Sequence, residues 1–258
     1  MGWSPPFQVD VAVILGSGLG TGVVQGMGLE EGVPYSSIPF LPPVTVPGHP
    51  GLLLQDDWDG VRVALMAGRF HLYEGLLPRE AAMTAILAKL LGAKKLIQFA
   101  AVGQVHPAMP PGTLVGINDH INLTGRSPLE KVSVRGGNPF VPGAFHSEVG
   151  RLAGRVAAKN KGVLWREGVY AQMPGPQLET ASEVEMVRRL GGDIVGMSTV
   201  PEAIAAAYLG LEHLGMGAVT NIAPMPPGSD SHKDVLRVAE RIQEQVPKFL
   251  HSLVKIWS

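Results

Sequence analysis

The chain contains no cysteine. That excludes a disulfide framework, a thiolate nucleophile and the cysteine-based zinc sites. The eight histidines form no H-x-H or H-x-x-x-H pair, so a histidine-rich metal site is not expected and no metal is assigned. Charge of either sign is scarce. Lys and Arg number 21 against 22 Asp and Glu, a formal net charge of −1, which argues against a nucleic-acid or anionic-membrane partner. Long apolar runs are also missing. The longest uncharged stretch, Leu96 to Asn118, is broken by three prolines and a histidine and is poor material for a membrane span. Met1-Gly-Trp-Ser-Pro-Pro has neither the basic region and apolar run of a secretory signal nor the hydroxyl residue that myristoylation needs. The expectation is a cytoplasmic protein.

What is present is a globular composition, 258 residues with 45% apolar, enough to build one large α/β domain or two small ones. Strand-like runs (Val9–Leu15, Leu52–Gln55, Val61–Met66, Lys95–Val102, Leu114–Leu123, Gly168–Gln172, Asp193–Gly196, Gly217–Ile222) alternate with helical periodicity over Arg79–Leu91, His146–Lys159, Ala181–Leu190 and Val200–Leu211. A turn at Asp56–Gly60 joins the second and third strands, and an Asn118-Asp119 turn interrupts the fifth. A C-terminal helix is expected to start at His232, with Ser231 as N-cap.

Four stretches carry chemistry. The first strand runs into Gly16-Ser17-Gly18-Leu19-Gly20, which reads as a phosphate loop, a hairpin turn or a dinucleotide fingerprint. The last requires glycine where Thr21 stands and a good helix where Thr21 to Gly28 is glycine-rich. Gly68-Arg69-Phe70-His71-Leu72-Tyr73-Glu74-Gly75 places a guanidinium fork beside a histidine, a ring and a carboxylate at a strand end. Glu179 follows a Pro/Gly turn and precedes a capping box, Thr180-Ala-Ser-Glu183. Gly196-Met197-Ser198-Thr199 leads into a second capping box, Thr199-Val-Pro-Glu202, so Ser198 sits where a strand gives way to a helix and an anion finds free N–H groups. Small residues at Ala101-Val102-Gly103 leave room at a strand end, and Thr220-Asn221 closes the last strand with an amide that both donates and accepts. His120 reads as structural, and His232, beside a loop, as a lid residue.

In their order, Gly16-Ser-Gly-Leu-Gly, Gly68-Arg-Phe-His-Leu-Tyr-Glu-Gly, Asp119-His-Ile-Asn-Leu, Gly175-Pro-Gln-Leu-Glu-Thr, Gly196-Met-Ser-Thr-Val-Pro-Glu and Thr220-Asn221 resemble the trimeric, low-molecular-mass purine nucleoside phosphorylases, a family that also includes methylthioadenosine phosphorylases. The resemblance implies a single α/β domain over residues 1–258, its mixed central sheet partly closed into a barrel and flanked by helices, assembled as a homotrimer. It implies phosphorolysis of purine nucleosides to free base and ribose 1-phosphate in purine salvage, with inorganic phosphate as co-substrate and no metal or organic cofactor. By the same resemblance Ser17, His49, Arg69, His71, Ala101 and Ser198 hold phosphate. Tyr73, Met197, His232 and, more loosely, Phe140 meet the ribose. Gly103, Leu178, Glu179, Val195, Thr220 and Asn221 form the base pocket, with Asn221, Glu179 and His71 as the catalytic groups.

Asn221 and His232 favour inosine and guanosine, since the methylthioadenosine branch carries aspartate and a small residue there. The chain departs from the family at Ala100, Val102 and Gln104, at Leu178 in place of a stacking phenylalanine, and at Ile222 in place of a lysine. Val102 and Gln104 are expected to reshape the base pocket. These departures keep two rivals in view: a phosphorylase for methylthioadenosine or another 6-aminopurine nucleoside, and a non-catalytic purine-binding protein. A nicotinamide-dependent oxidoreductase rests only on the first glycine loop.

Overall fold

The computed structural model describes residues 3–16, 20–26, 28–29, 31–132, 147–160, 162–226, 238, 242 and 245–257. The first strand explains the layering. β1 (Val11–Leu15) is five apolar residues, all buried. Alternation sends Val11, Val13 and Leu15 to one face and Ala12 and Ile14 to the other, and the two sets belong to different cores. One core lies against α4 (Ser147–Lys159) and α7 (Val246–Trp257), the other against α3 (Met83–Leu90) and α6 (Val200–Tyr208). A strand covered on both faces needs no polar side, hence the unbroken apolar run.

β1 lies between two parallel neighbours, β4 (Val61–Ala67) and β5 (Lys95–Gln104). It is followed by a short helix, α1 (Gly20–Gly26), which excludes the hairpin reading of the glycine loop. The helix forms despite its glycines because Val23 and Val24 bury into the first core, so tertiary packing overrides weak propensity. β3 (Leu52–Trp58) pairs antiparallel with β4, and β2 (Val33–Pro34) forms the edge. The β3–β4 turn is tighter than expected: Asp56 and Asp57 stay in the strand, and only Asp59 (φ 54°) and Gly60 (φ 89°) make the reversal.

β5 also joins a ring, through β8 (Ile194–Gly196) beyond β1 on one edge and through β9 (Glu212–Ile222) on the other. Its end pairs β8, which pairs β7 (Leu164–Gln172), then β6 (Thr113–Asn122), then β9, and β9 pairs back with β5. Each of the five strands sends a side chain into one cluster, Val102, Val115, Tyr170, Ile194 and Val219, filling the interior of a small barrel. The domain is thus a mixed nine-stranded sheet closed at one end into a barrel and flanked by helices.

Two local expectations change. The helix expected over Arg79–Leu91 is two pieces, α2 (Pro78–Ala81) and α3, separated by Ala82 at φ −93°, ψ 5°. The Asn118-Asp119 turn is a bulge: β6 runs through it, and its register with β7 slips between Ile117 and Asp119. The expected start of the C-terminal helix at His232 lies outside the described residues. Among the described residues no helix is long and apolar enough to cross a membrane.

The feature that positions the site is the divided edge of β5. β1 accompanies it only to Phe99, and β8 joins only at Gly103. An opening is left between them beside Ala100–Val102.

Candidate active site

A cavity of about 310 Å³ occupies that opening. Of the residues singled out from the sequence, Arg69, His71, Tyr73, Ala101, Gly103, Leu178, Glu179, Val195, Met197, Ser198, Thr220 and Asn221 line it, together with Ala100 and Val102. His49 sits behind the wall, its ring centroid 5.3 Å from that of His71. Ser17, Phe140 and His232 lie outside the described residues. Val46, Pro176 and Gly196 also line the cavity. Sequence reading gave them no role in the site: Val46 lies in a proline-rich stretch read only as loop, Pro176 in a turn, and Gly196 at the strand end that leads into Met197–Thr199.

One end of the cavity is built for an anion. Arg69 follows β4 and is 1% exposed. Its Nη1 donates to Ser198 Oγ at 3.0 Å and to Thr199 Oγ1 at 3.4 Å, and its Nη2 lies 3.1 Å from the Glu202 carboxylate. Its Nε has no partner among the described residues, a buried donor left for a ligand. Gly16 donates its N–H to Phe99 O at 2.8 Å, and a Cβ there would fall 2.8 Å from that oxygen and 3.4 Å from Arg69 Nη1, so only glycine lets β1 end against the guanidinium. Because Phe99 O faces β1, strand alternation turns the Ala101 N–H and C=O the same way, into the opening that β1 and β8 leave.

Ser198 is held by strain and by a clamp. Thr199 has φ 75°, ψ −51°, rare for a β-branched residue, and Val200 N–H closes a three-residue turn onto Ser198 O at 2.9 Å. Such backbone costs on the order of 1–3 kcal/mol and persists where its surroundings enforce it. Here Tyr170 does so: its hydroxyl donates to Ser198 O and accepts from Ser198 N–H, both at 3.0 Å. The capping box read at Thr199–Glu202 is not formed. Gln172 Oε1 shares the Val200 N–H at 2.9 Å with Ser198 O, while Glu202 is drawn inward to Arg69 and to the Thr84 hydroxyl at 2.6 Å. A buried guanidinium outcompetes an N-cap for a carboxylate. Burial pushes the Glu202 carboxyl up, against the opposing pull of Arg69 and Thr84. The other box is formed: Glu183 N–H donates to Thr180 Oγ1 at 3.2 Å and Thr180 N–H to Glu183 Oε2 at 2.7 Å.

Beside Arg69 at the same end stands His71. Glu74 Oε1 accepts its backbone N–H at 2.7 Å and lies 3.0 Å from its Nδ1, and Thr45 donates to the other oxygen of Glu74. Burial pushes His71 down, outweighing the hydrogen bond to Glu74, while the bonds from His71 and Thr45 hold Glu74 below its usual value despite burial. The pair is therefore a neutral imidazole with Nδ1–H on a carboxylate, leaving the Nε2 lone pair as proton acceptor. His49 is pushed down to about 4 by burial and by neighbouring His71. Tyr73 stacks on His71 with centroids 4.6 Å apart. Burial and Glu74 push its hydroxyl up to about 12, so it remains a neutral donor. Gly175 (φ 65°) lets Met197 and Tyr73 close together, since a Cβ there would meet Met197 Sδ at 2.4 Å and Tyr73 Cδ1 at 3.0 Å.

The far end suits a heterocycle. Thr220 Oγ1 lies 3.0 Å from Asn221 Oδ1, which leaves the Asn221 Nδ2 over Gly103. A Cβ at Gly103 would sit 3.3 Å from that nitrogen and 3.0 Å from Val195 Cγ2. Glu179 is half-buried, and burial, then Glu183, raises its carboxyl above the usual value. Leu178 is 43% exposed at the mouth. Of the departures expected to reshape the pocket, Gln104 does not line the cavity and donates to His106 O at 3.2 Å. Val102 lines it, yet its side chain belongs to the barrel cluster. Ile222 is 60% exposed and off the cavity.

A model of the phosphorylase superfamily matches residues 10–255. Purine nucleoside phosphorylase 1 of Geobacillus stearothermophilus is 37% identical over 258 residues, covering 97% of this chain and 92% of that protein. The Bos taurus purine nucleoside phosphorylase is 35% identical, covering 95% and 88%. The crystal structure of a Schistosoma purine nucleoside phosphorylase in complex with hypoxanthine superposes with a TM-score of 0.85 at 32% identity, over 96% of this chain and 90% of that one. The chain belongs to the phosphorylase superfamily and, within it, to the purine nucleoside phosphorylases.

Proposed function

We propose that the chain catalyses phosphorolysis of purine nucleosides, inosine and guanosine foremost and their deoxy forms with them, to free base and ribose 1-phosphate in purine salvage. The observation that carries this is one cavity with two unlike ends: an anion site at Arg69, Ser198 and the Ala101 backbone, and an amide–carboxylate pair at Asn221 and Glu179. A nucleoside spans such a cavity with its C1′ between them.

In this reading phosphate lies on Arg69, Ser198, the Ala101 N–H and His71, with Ser17 added from the glycine loop and His49 behind. Tyr73 and Met197 hold the ribose, joined by His232 at the 5′-hydroxyl and Phe140. A phosphate oxygen bonds to C1′ as the C1′–N9 bond breaks, and the bond's electron pair passes into the purine. Asn221 Nδ2 donates to the purine edge where negative charge collects, and ionised Glu179 accepts N1–H. Both interactions strengthen as the base leaves, which is where binding energy accelerates reaction. His71, neutral with Nε2 free to accept, takes the proton of hydrogenphosphate and passes it to solvent, and the departing purine takes one proton from solvent on its imidazole nitrogen, so no net proton is gained or lost. Inorganic phosphate is a co-substrate, and the reading needs no metal or organic cofactor. It also includes a cytoplasmic homotrimer, supported by the resemblance of the motif set. Sedimentation measures the assembly.

The test is base release from inosine with and without phosphate, beside adenosine and methylthioadenosine. Phosphate-dependent hypoxanthine release with little from adenosine is the expected result. Preference for adenosine would move the chain to the 6-aminopurine reading, and phosphate-independent release would remove phosphate from the reaction.

A further inference from the structure

Behind the anion end lies a polar network that the sequence did not announce and that the proposed reaction does not use. Glu202, 1% exposed, faces Arg69 Nη2 at 3.1 Å and accepts from Thr84 of α3. With its amide turned so that nitrogen faces acceptors, Gln98 of β5 donates to Glu202 Oε2 and Thr199 O, both at 3.2 Å. Its oxygen then accepts from Ala203 N–H at 3.2 Å and from His213 Nε2 of β9 at 3.0 Å. The carboxylate is thus fixed by three elements on the side of Arg69 away from the cavity.

The contact between Glu202 and Arg69 is of a particular kind. The atoms are within ion-pair distance, yet Nη2 forms no aligned hydrogen bond. The guanidinium is oriented by Nη1, through Ser198 and Thr199. Glu202 therefore supplies charge to Arg69 more than direction. We infer that Glu202 is a resident counter-anion that shares Arg69 with incoming phosphate and thereby sets how weakly the phosphate site binds. It is a positioning residue that acts through Arg69 and touches no reactant. Two anions on one guanidinium oppose each other, and a buried cation left without its anion gains most from a ligand that replaces it. Weak phosphate binding is of use to an enzyme that must also release a sugar phosphate from the same site.

This inference rests on the phosphate site assigned above, and its test separates the two. Thermal unfolding of the full chain is followed against inorganic phosphate for wild type and Glu202→Gln, which keeps size and hydrogen bonding while removing the charge. A rise in wild-type Tm with phosphate establishes the site, and no rise refutes the site itself. Glu202→Gln is expected to unfold at lower temperature without phosphate but to show a larger phosphate-dependent rise, corresponding to binding tighter by about tenfold or more. A merely structural role would lower Tm and leave the phosphate increment unchanged, and a directing role would shrink it. Either result overturns the inference. If Glu202→Gln does not fold in phosphate-free buffer, refolding it across a phosphate titration decides: recovery with phosphate supports the counter-anion role, and failure at every concentration refutes it. In the double variant Arg69→Met, Glu202→Gln, with both charges gone, the phosphate increment should vanish while Tm recovers toward wild type.

Discussion

The two ends of the cavity are built to different standards. At the phosphate end, among the described residues, Arg69, His71, Ser198 and Thr199 are buried, at 1%, 4%, 8% and 1% exposure; Arg69 bonds Ser198 and Thr199, and Tyr170 bonds Ser198, across distant parts of the chain, while His71 is held by Glu74, three positions on. At the base end Glu179 and Asn221 are half-buried, and Leu178 faces solvent. The first end is preorganised before any ligand arrives. The second is a short wall that a base completes. Phosphate-end residues should therefore be coupled to stability and base-end residues to substrate choice alone.

The strongest attempt to break that contrast is Arg69→Ala. It removes the main cation of the anion site and strands Glu202, whose carboxyl burial already raises. We expect kcat/KM for phosphate to fall on the order of 10³-fold and stability to drop by about 3–5 kcal/mol. The loss should depend on pH. Without Arg69 the folded-state pKa of Glu202 stands above its unfolded value, so the native state binds more protons and stability falls as pH rises. Denaturant unfolding at two pH values should show the deficit smaller on the acid side. A stability equal to wild type would mean that the buried pair does not tie the phosphate end to the fold.

Glu179→Gln should do the opposite. Turnover of inosine is expected to fall by about 10²–10³-fold because the buried N1–H loses its charged acceptor, while Tm and the phosphate-dependent shift stay unchanged. The same carboxyl supplies a pH signature. Burial raises it above its ordinary value of 4.5, so its charge is lost as pH falls through that higher value. The acid limb of kcat/KM for inosine should have an apparent pKa above 4.5 and should disappear in Glu179→Gln. A limb that survives the substitution would assign it to another group.

How far the sequence disclosed this site follows the same division. The cavity residues at strand ends were legible, because glycine-bounded polar clusters such as Gly68–Gly75 and small-residue strand ends such as Ala101–Gly103 have local signatures. The helices and strands were legible where burial follows a period. What was hidden is contact between distant segments. Thr199–Glu202 satisfies every local rule for a capping box, and nothing local reveals that Arg69, 133 positions earlier by their numbers, takes the carboxylate. Tyr170 lay in an ordinary strand, and only the β7–β8 register brings its hydroxyl to Ser198. The divided edge of β5 is equally invisible, since it depends on where two partners from opposite ends of the chain stop and start.

Tyr170→Phe sharpens the comparison at lower amplitude. The variant keeps the ring in the barrel and removes one hydroxyl that both donates to and accepts from Ser198. Two lost bonds of about 1 kcal/mol each, in a turn already strained at Thr199, should raise KM for phosphate roughly tenfold and leave KM for inosine within about twofold. Equal changes in both would mean that the clamp serves the whole cavity.

The smallest expected effect comes from Leu178→Phe. Leu178 stands exposed at the cavity mouth beside Glu179, so the larger ring displaces water rather than packed neighbours and should leave Tm unchanged. An aromatic face against a purine adds about 0.5–1.5 kcal/mol, equivalent to a KM for inosine lowered by roughly two- to tenfold. Such stacking depends on the ring system and not on its edge, so KM for guanosine should fall by the same factor while the inosine-to-adenosine ratio of kcat/KM holds. A shift in that ratio would show that base choice resides partly in the open wall. An unchanged ratio leaves it with Asn221 and Glu179, the two groups proposed to meet the base edge by hydrogen bonds, and confines the mouth to binding strength.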